Sequence, residues 1–272
     1  MPEEFPHYIE FRHVYKTFDK PVLVDSNFYV DPGQTVVIIG RSGVGKSVSL
    51  FHIMGFLKPD KGQVIVANED ITGYSESELN RIRRKVTMVF QSGALFDSLT
   101  VAENISFSLE LREDYDEKNK DDVVEGLLKL VGLWESRDSY PGDLSTGYRR
   151  AVAIARALAA QPQCILYDEP TTMVDPIMSD HVTLLMLRLK KELRMTSIVV
   201  THDLDLLNRV ADSVVFLHKG RVAFFGKPAD LYRSREPVIH EFLELDKVIR
   251  GARLAEDDPF RTGLAGPTDA DV

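Results

Sequence analysis

Short apolar runs bounded by turn residues punctuate the chain at 35–39, 85–90, 164–167, 197–200 and 213–217. Several are rich in Val and Ile with little polar alternation. That pattern belongs to strands buried on both faces, because helices cover each side of a mostly parallel sheet and neither face meets water. Before the fourth run the period changes. Val182, Leu185, Leu189 and Leu193 recur at helical spacing, with Lys190, Lys191, Glu192 and Arg194 between them, which predicts an amphipathic helix over 180–194 lying on the sheet. Strands alternating with helices give an α/β architecture.

The first 34 residues read differently. Alternating stretches at 8–14 and 22–30 are separated by Asp19-Lys20-Pro21 and closed by Asp31-Pro32-Gly33, so a small antiparallel sheet is expected ahead of the parallel one. Residues 92–162 read as helical. Within them, 113–125 carries seven acidic residues against Lys118 and Lys120, the composition of a solvated loop or helix face. The last stretch, 251–272, is rich in Gly, Pro and Asp and short of large apolar residues, the composition of a mobile tail.

Composition narrows the function classes. The 272 residues carry 33 Lys+Arg against 42 Asp+Glu, a net charge of −9, which argues against a sequence-independent nucleic-acid binder. The single cysteine, Cys164, lies in the apolar run Cys-Ile-Leu-Tyr and reads as a small buried hydrophobe of a cytosolic protein. No apolar run reaches the length of a membrane helix, roughly 18 residues or more. The seven histidines form neither His-Glu-x-x-His nor a Cys/His cluster, so zinc chemistry is not expected.

Between the first buried strand and the apolar helical stretch 48–56 stands Gly40-Arg41-Ser42-Gly43-Val44-Gly45-Lys46-Ser47, followed by Val48. It satisfies the phosphate-loop pattern G-x-x-x-x-G-K-[ST] in the strand-to-helix setting that the pattern requires. Glycines let backbone N–H groups turn inward, the helix start adds partial positive charge, Lys46 reaches terminal phosphates, and Ser47 ligates Mg²⁺. A second strand, Cys164-Ile-Leu-Tyr167, ends in Asp168-Glu169. Asp168 is suited to hold Mg²⁺ and Glu169 to polarise an attacking water, because phosphoryl transfer needs positioning and charge neutralisation more than covalent chemistry.

Further elements fall in order: Gln91 after the strand ending at Phe90, Leu144-Ser145-Thr146-Gly147-Tyr148 before a helical stretch, Asp175-Pro176 after the acidic pair, and Thr201-His202-Asp203 after the next strand. Over roughly residues 8–232 this series resembles the ATPase subunit of ABC transporters. The resemblance implies a P-loop NTPase with a RecA-like core and antiparallel β-subdomain (1–90 and 163–240), a helical subdomain with the signature loop (91–162), and a C-terminal extension (241–272). It implies ATP and Mg²⁺ as cofactors, Phe18 stacking on adenine, Gln91 near Mg²⁺ or the water, and His202 at the γ-phosphate. Taken alone, Phe18 reads as a core aromatic, Gln91 as a strand-end polar residue and His202 as a satisfied loop histidine. In the family the signature loop caps ATP held by a second subunit, so a homodimer with two composite sites is implied, with Asp175 at its seam. The implied place is peripheral, on the cytoplasmic face of the inner membrane, with permease subunits met through the segment from Gln91 to Leu99.

Two departures from the family pattern stand out. Thr146 puts a β-branched residue where the common signature has Gly, and Thr171-Thr172-Met173-Val174 replaces the common Gly-Leu-Asp form before Asp175. Ser-Gly-Ala-Leu-Phe at 92–96, Arg149-Arg150 and the stretch 235–243 resemble the Mla/Mce-type ATPases, which implies phospholipid transport and an Mce-domain lipid-binding partner. The alternatives are the ATPase of a small-solute importer, such as one for amino acids, or a soluble ABC protein of DNA repair or the ribosome. A regulatory protein with dead sites is disfavoured by the intact Lys46, Asp168, Glu169 and His202.

Overall fold

The computed structural model describes residues 5–110, 112 and 115–256, with side chains through residue 246. β1 (Ile9–Thr17) and β2 (Pro21–Val30) form the expected antiparallel hairpin. β3 (Thr35–Ile39), buried throughout, leads into α1 (Lys46–Ile53). β4 (Lys61–Val66) and β5 (Glu69–Asp70) then complete an antiparallel sheet in the order β2-β1-β4-β5. The sequence pattern credited this sheet to the first 34 residues. It extends further because Val64 and Val66 pair opposite Phe11 and Ile9 and are buried with them, although 61–66 shows no clean alternation.

After α2 (Glu76–Lys85), which opens on a Ser75/Glu78 capping box, β6 (Val86–Val89) enters the second sheet. The helical region follows as α3 (Val101–Glu110), α4 (Lys120–Leu130) and α5 (Thr146–Ala159). Part of the acidic stretch is the outer face of α4, with Asp121 and Asp122 exposed while Val124 and Leu128 are buried. The chain returns as β7 (Cys164–Asp168), α6 (Pro176–Leu193), β8 (Thr196–Val200), α7 (Leu204–Val210), β9 (Ser213–His218) and β10 (Arg221–Gly226). α6 begins four residues before its predicted start, where Asp175 caps it and Pro176 supplies a preset φ.

The second sheet runs β10-β9-β3-β8-β7-β6 and is parallel except for β10. β10 turns back from β9 through Lys219-Gly220, both at positive φ (47° and 76°), the backbone that a two-residue hairpin turn demands. Cys164 is fully buried in β7 and burial pushes its thiol pKa up, so it packs as the expected hydrophobe.

Compactness divides the chain into Met1–Leu231 and Tyr232–Val272. α8 (Pro228–Arg233) carries that boundary, and α9 (Pro237–Glu256) lies in the second unit. Residues 251–256, expected in a mobile tail, are helical; the rest of that expectation, 257–272, lies outside the described residues. Among the described residues no helix is long and apolar enough to cross a membrane.

Candidate nucleotide site

The parallel strands β3, β6, β7 and β8 all release their candidate residues at the same, carboxyl-terminal edge of the sheet, where ligands of open α/β sheets bind. The loop after β3 is shaped by its glycines. Gly40 and Gly45 hold φ of 149° and 107°. A Cβ on Gly40 would stand 2.3 Å from the Leu217 carbonyl oxygen, and one on Gly45 would stand 2.7 Å from the Val22 carbonyl oxygen. Only glycine fits at either position. Gly45 is also the N-cap of α1, whose first turn carries no acidic residue to neutralise the helix's positive end.

Lys46 is buried beneath this loop, with Nζ donating to the carbonyls of Gly40 (3.0 Å) and Arg41 (3.3 Å) and 3.9 Å from the Glu169 carboxylate. Burial lowers its pKa, against the opposing charges of Glu169 and Asp168. The Ser47 hydroxyl donates to Asp168 Oδ1 at 3.0 Å. Burial raises the Asp168 pKa and the Glu169 charge adds to this, while Ser47, Lys46 and Arg150 oppose it. A hydroxyl and a carboxylate at this distance are hard oxygen donors that fit Mg²⁺, which typically takes one or two carboxylates beside substrate phosphates. The burial penalty on Asp168 favours a cation there.

Successive strand residues face opposite sides of a sheet. Asp168 and Glu169 nevertheless both reach the phosphate loop, because Glu169 leaves the strand in the left-handed region at φ 49°. Such a backbone costs a non-glycine residue about 1–2 kcal/mol, and strain of this kind collects at functional sites. It is held by the Glu169 N–H donating to the Val200 carbonyl at 2.8 Å. Glu169 Oε2 accepts from Thr172 Oγ1 and is paired with His202 Nδ1, both at 2.9 Å. Burial pushes the Glu169 pKa up, but the His202 hydrogen bond and charge, with Thr172 and Lys46, outweigh it and hold the carboxyl below its ordinary range. The same hydrogen bond raises the His202 pKa, against partial burial.

Gly40 through Val48, Asp168, Glu169 and His202 thus meet at one place. Gln91 is exposed just beyond β6, whose last residue pairs with Tyr167, so it lies on the same edge. Phe18 is 52% exposed on the β1–β2 turn with the Lys16 ammonium 5.6 Å from its ring, so it is not a core aromatic. The signature loop stands apart from this group. Ser145 caps α5 by accepting from the Tyr148 N–H (3.4 Å), and Thr146 accepts from Arg149 (3.2 Å). A Cβ on Gly147 would lie 2.4 Å from Met178 Cβ. None of these contacts joins the loop to Lys46, Asp168 or Glu169. Asp175 is an exposed N-cap that accepts from the Met178 N–H at 3.0 Å, and Met173 before it is 86% exposed at φ 59°. Sequence reasoning missed Thr172, whose only signal was a hydroxyl three residues after Glu169.

The sequence profile of the ABC transporter family matches residues 23–172. A methionine import ATP-binding protein of Pseudomonas savastanoi pv. phaseolicola is 38% identical over 247 residues, 89% of this chain and 74% of the relative. A second, from Pseudomonas syringae pv. tomato, is 39% identical over 229 residues, 82% of this chain and 68% of the relative. Among solved structures, the dimeric ATP-binding cassette MJ0796 in a post-hydrolysis state with ADP and phosphate has a TM-score of 0.74. It is 32% identical and covers 80% of this chain and 98% of its own.

These relatives correct the expectation of Mla/Mce-type phospholipid transport and of an Mce-domain partner, since they are named for methionine import. In the 92–96 segment that suggested lipid transport, Phe96 stacks edge-on with Phe107 (4.8 Å) and lies 5.5 Å under the Arg156 guanidinium. Phe96 keeps 42% of its surface exposed, and its contacts within the chain do not depend on a cargo. The chain belongs to the ABC transporter family, as an ATP-binding subunit that hydrolyses ATP.

Proposed function

We propose that the chain powers import of a small polar solute of the amino-acid class through separate membrane-embedded subunits, acting as a homodimer on the cytoplasmic face of the membrane. The observation that carries the reading is the match to methionine import ATPases along 89% of the chain. In this reading the loop amides and Lys46 hold the terminal phosphates of ATP. Ser47 and Asp168 hold Mg²⁺, with Gln91 within their edge of the sheet; the ion supplies charge neutralisation on the phosphate oxygens. Glu169 takes a proton from a water whose oxygen bonds to the γ-phosphorus as the bond to the β-phosphate oxygen breaks, leaving ADP and phosphate. His202, bonded to Glu169, orients that carboxylate and faces the γ-phosphate, and Phe18 is exposed to stack on adenine.

The separation of the signature loop from Lys46 supports a site completed by a second copy, whose Ser145, Thr146, Gly147 and Tyr148 close over the phosphates, with Asp175 near the seam. The exposed segment from Gln91 to Leu99 meets the membrane subunits. The test is reconstitution of the chain with its co-purifying membrane subunits into vesicles, followed by uptake of labelled methionine. ATP-dependent accumulation is expected; ATP hydrolysis without uptake of methionine or another amino acid overturns the cargo class.

A further inference from the structure

Residues 90–99 contain no helix or strand, yet they are held from two sides by side chains of α3 and α5. From α3, the fully buried Asn104 uses its whole amide. Its Nδ2 donates to the carbonyls of Phe96 (3.0 Å), Leu99 (3.1 Å) and Thr100 (3.0 Å), and its Oδ1 accepts from the Phe96 N–H (2.9 Å). An amide nitrogen has two hydrogens, so one is shared between acceptors. From α5, Arg150 Nη1 donates to the Phe90 carbonyl (2.9 Å) and Arg156 Nη2 to the Gly93 carbonyl (3.2 Å). The Arg156 guanidinium also lies over the ring of Phe96, whose other neighbour is Phe107 of α3. Arg149, Ala153 and Arg156 recur at i, i+4 and i+7, so one face of α5 carries the contact. Gly93 lies against that face, where an added Cβ would be 3.5 Å from the Arg149 carbonyl and 3.8 Å from Ala153 Cβ.

The helix that grips the segment is the one that begins at the signature loop. Arg156 lies about 15 Å along the helix axis from Thr146 at 1.5 Å per residue. A buried polar network fixes one geometry where an apolar contact would tolerate several. We propose that Asn104, with Arg150 and Arg156, is a positioning element that makes residues 90–99 move as one body with α5, so that closure at the signature loop is delivered to the membrane-facing segment. This rests on the reading of an ATP-driven dimer given above.

The test is amide hydrogen exchange on the full chain carrying Glu169→Gln, with and without MgATP. In that parent, exchange slows on ATP addition at both 145–150 and 90–99. Adding Asn104→Ala leaves the response at 145–150 intact, while 90–99 exchanges about tenfold faster and loses its response to ATP. Arg156→Gln, which leaves the Asn104 bonds in place, lowers the response at 90–99 in the same direction and decides the matter if the Asn104 variant does not fold. A merely structural role raises exchange at 90–99 equally in both conditions and keeps the ATP response, which overturns the inference. If the parent itself shows no ATP response at 145–150, the ATP-driven dimer fails, and the inference with it.

Discussion

Two glycine-bearing loops start helices in this chain, and they are constrained in opposite ways. In the phosphate loop the chain's own backbone dictates the sequence, since the carbonyls of Leu217 and Val22 exclude any side chain at Gly40 and Gly45. In the signature loop only Gly147 is imposed, by the close approach of Met178 on α6. Thr146 sits in ordinary helical backbone as the first residue of α5, and Tyr148 is 39% exposed. The family pattern is therefore intact where the fold enforces it and altered where a second molecule would have to. A motif position can be held by the chain's own structure or by a partner, and only the first kind is explained by one subunit.

The largest effect expected from this contrast is at Gly45. Gly45→Ala forces a Cβ into a carbonyl oxygen at a φ that L-residues avoid. It costs about 2–3 kcal/mol or more, which lowers Tm by roughly 4–12 °C. Gly43→Ala, with open space around its Cβ, loses only the left-handed penalty of about 1–2 kcal/mol. Equal losses in thermal melts would break the distinction between backbone-imposed and free positions.

A smaller effect lies in the Glu169–His202 pair. The lowered Glu169 pKa gives a contribution present above the ordinary carboxylate range and lost as pH falls through its folded value. The raised His202 pKa gives one present below the ordinary imidazole value, about 6.5, and lost as pH rises through its folded value. The pair is therefore intact between those two folded values. NMR titration of His202 should give a midpoint above the ordinary imidazole value that falls back toward it in Glu169→Gln; an unmoved midpoint contradicts the pairing. The smallest effect is at Thr146. Thr146→Gly, which removes the β-branched side chain from the loop, should raise the ATPase rate a few fold, and an unchanged rate removes any role for Thr146 in slowing closure.

What could be read from the sequence follows the same division. The buried strands and the phosphate loop were legible because burial on both faces and backbone-imposed glycines leave short, local patterns. The nucleotide-edge cluster followed from motif order, since the parallel strands all end at the same edge. β4 and β5 were missed because β4 pairs with β1 across α1, β5 pairs with β4, and the run 61–66 does not alternate. Thr172, Asn104 and Arg156 were missed because a buried amide or hydroxyl that organises a neighbouring loop leaves no periodic signal. The cargo was misread because the residues at 92–96 contact Phe107 and Arg156 of this chain, and an ATP-binding subunit's own contacts do not name what crosses the membrane.

The central claim is that Glu169, set beside Lys46 by its left-handed backbone and held by His202 and Thr172, activates the water that attacks ATP. Its most direct test is single-turnover hydrolysis by Glu169→Gln with MgATP, read together with its oligomeric state by size-exclusion chromatography. A loss of at least about 10²-fold in hydrolysis, with ATP retained in a persistent dimer, is the predicted result. Hydrolysis at the parental rate would contradict it.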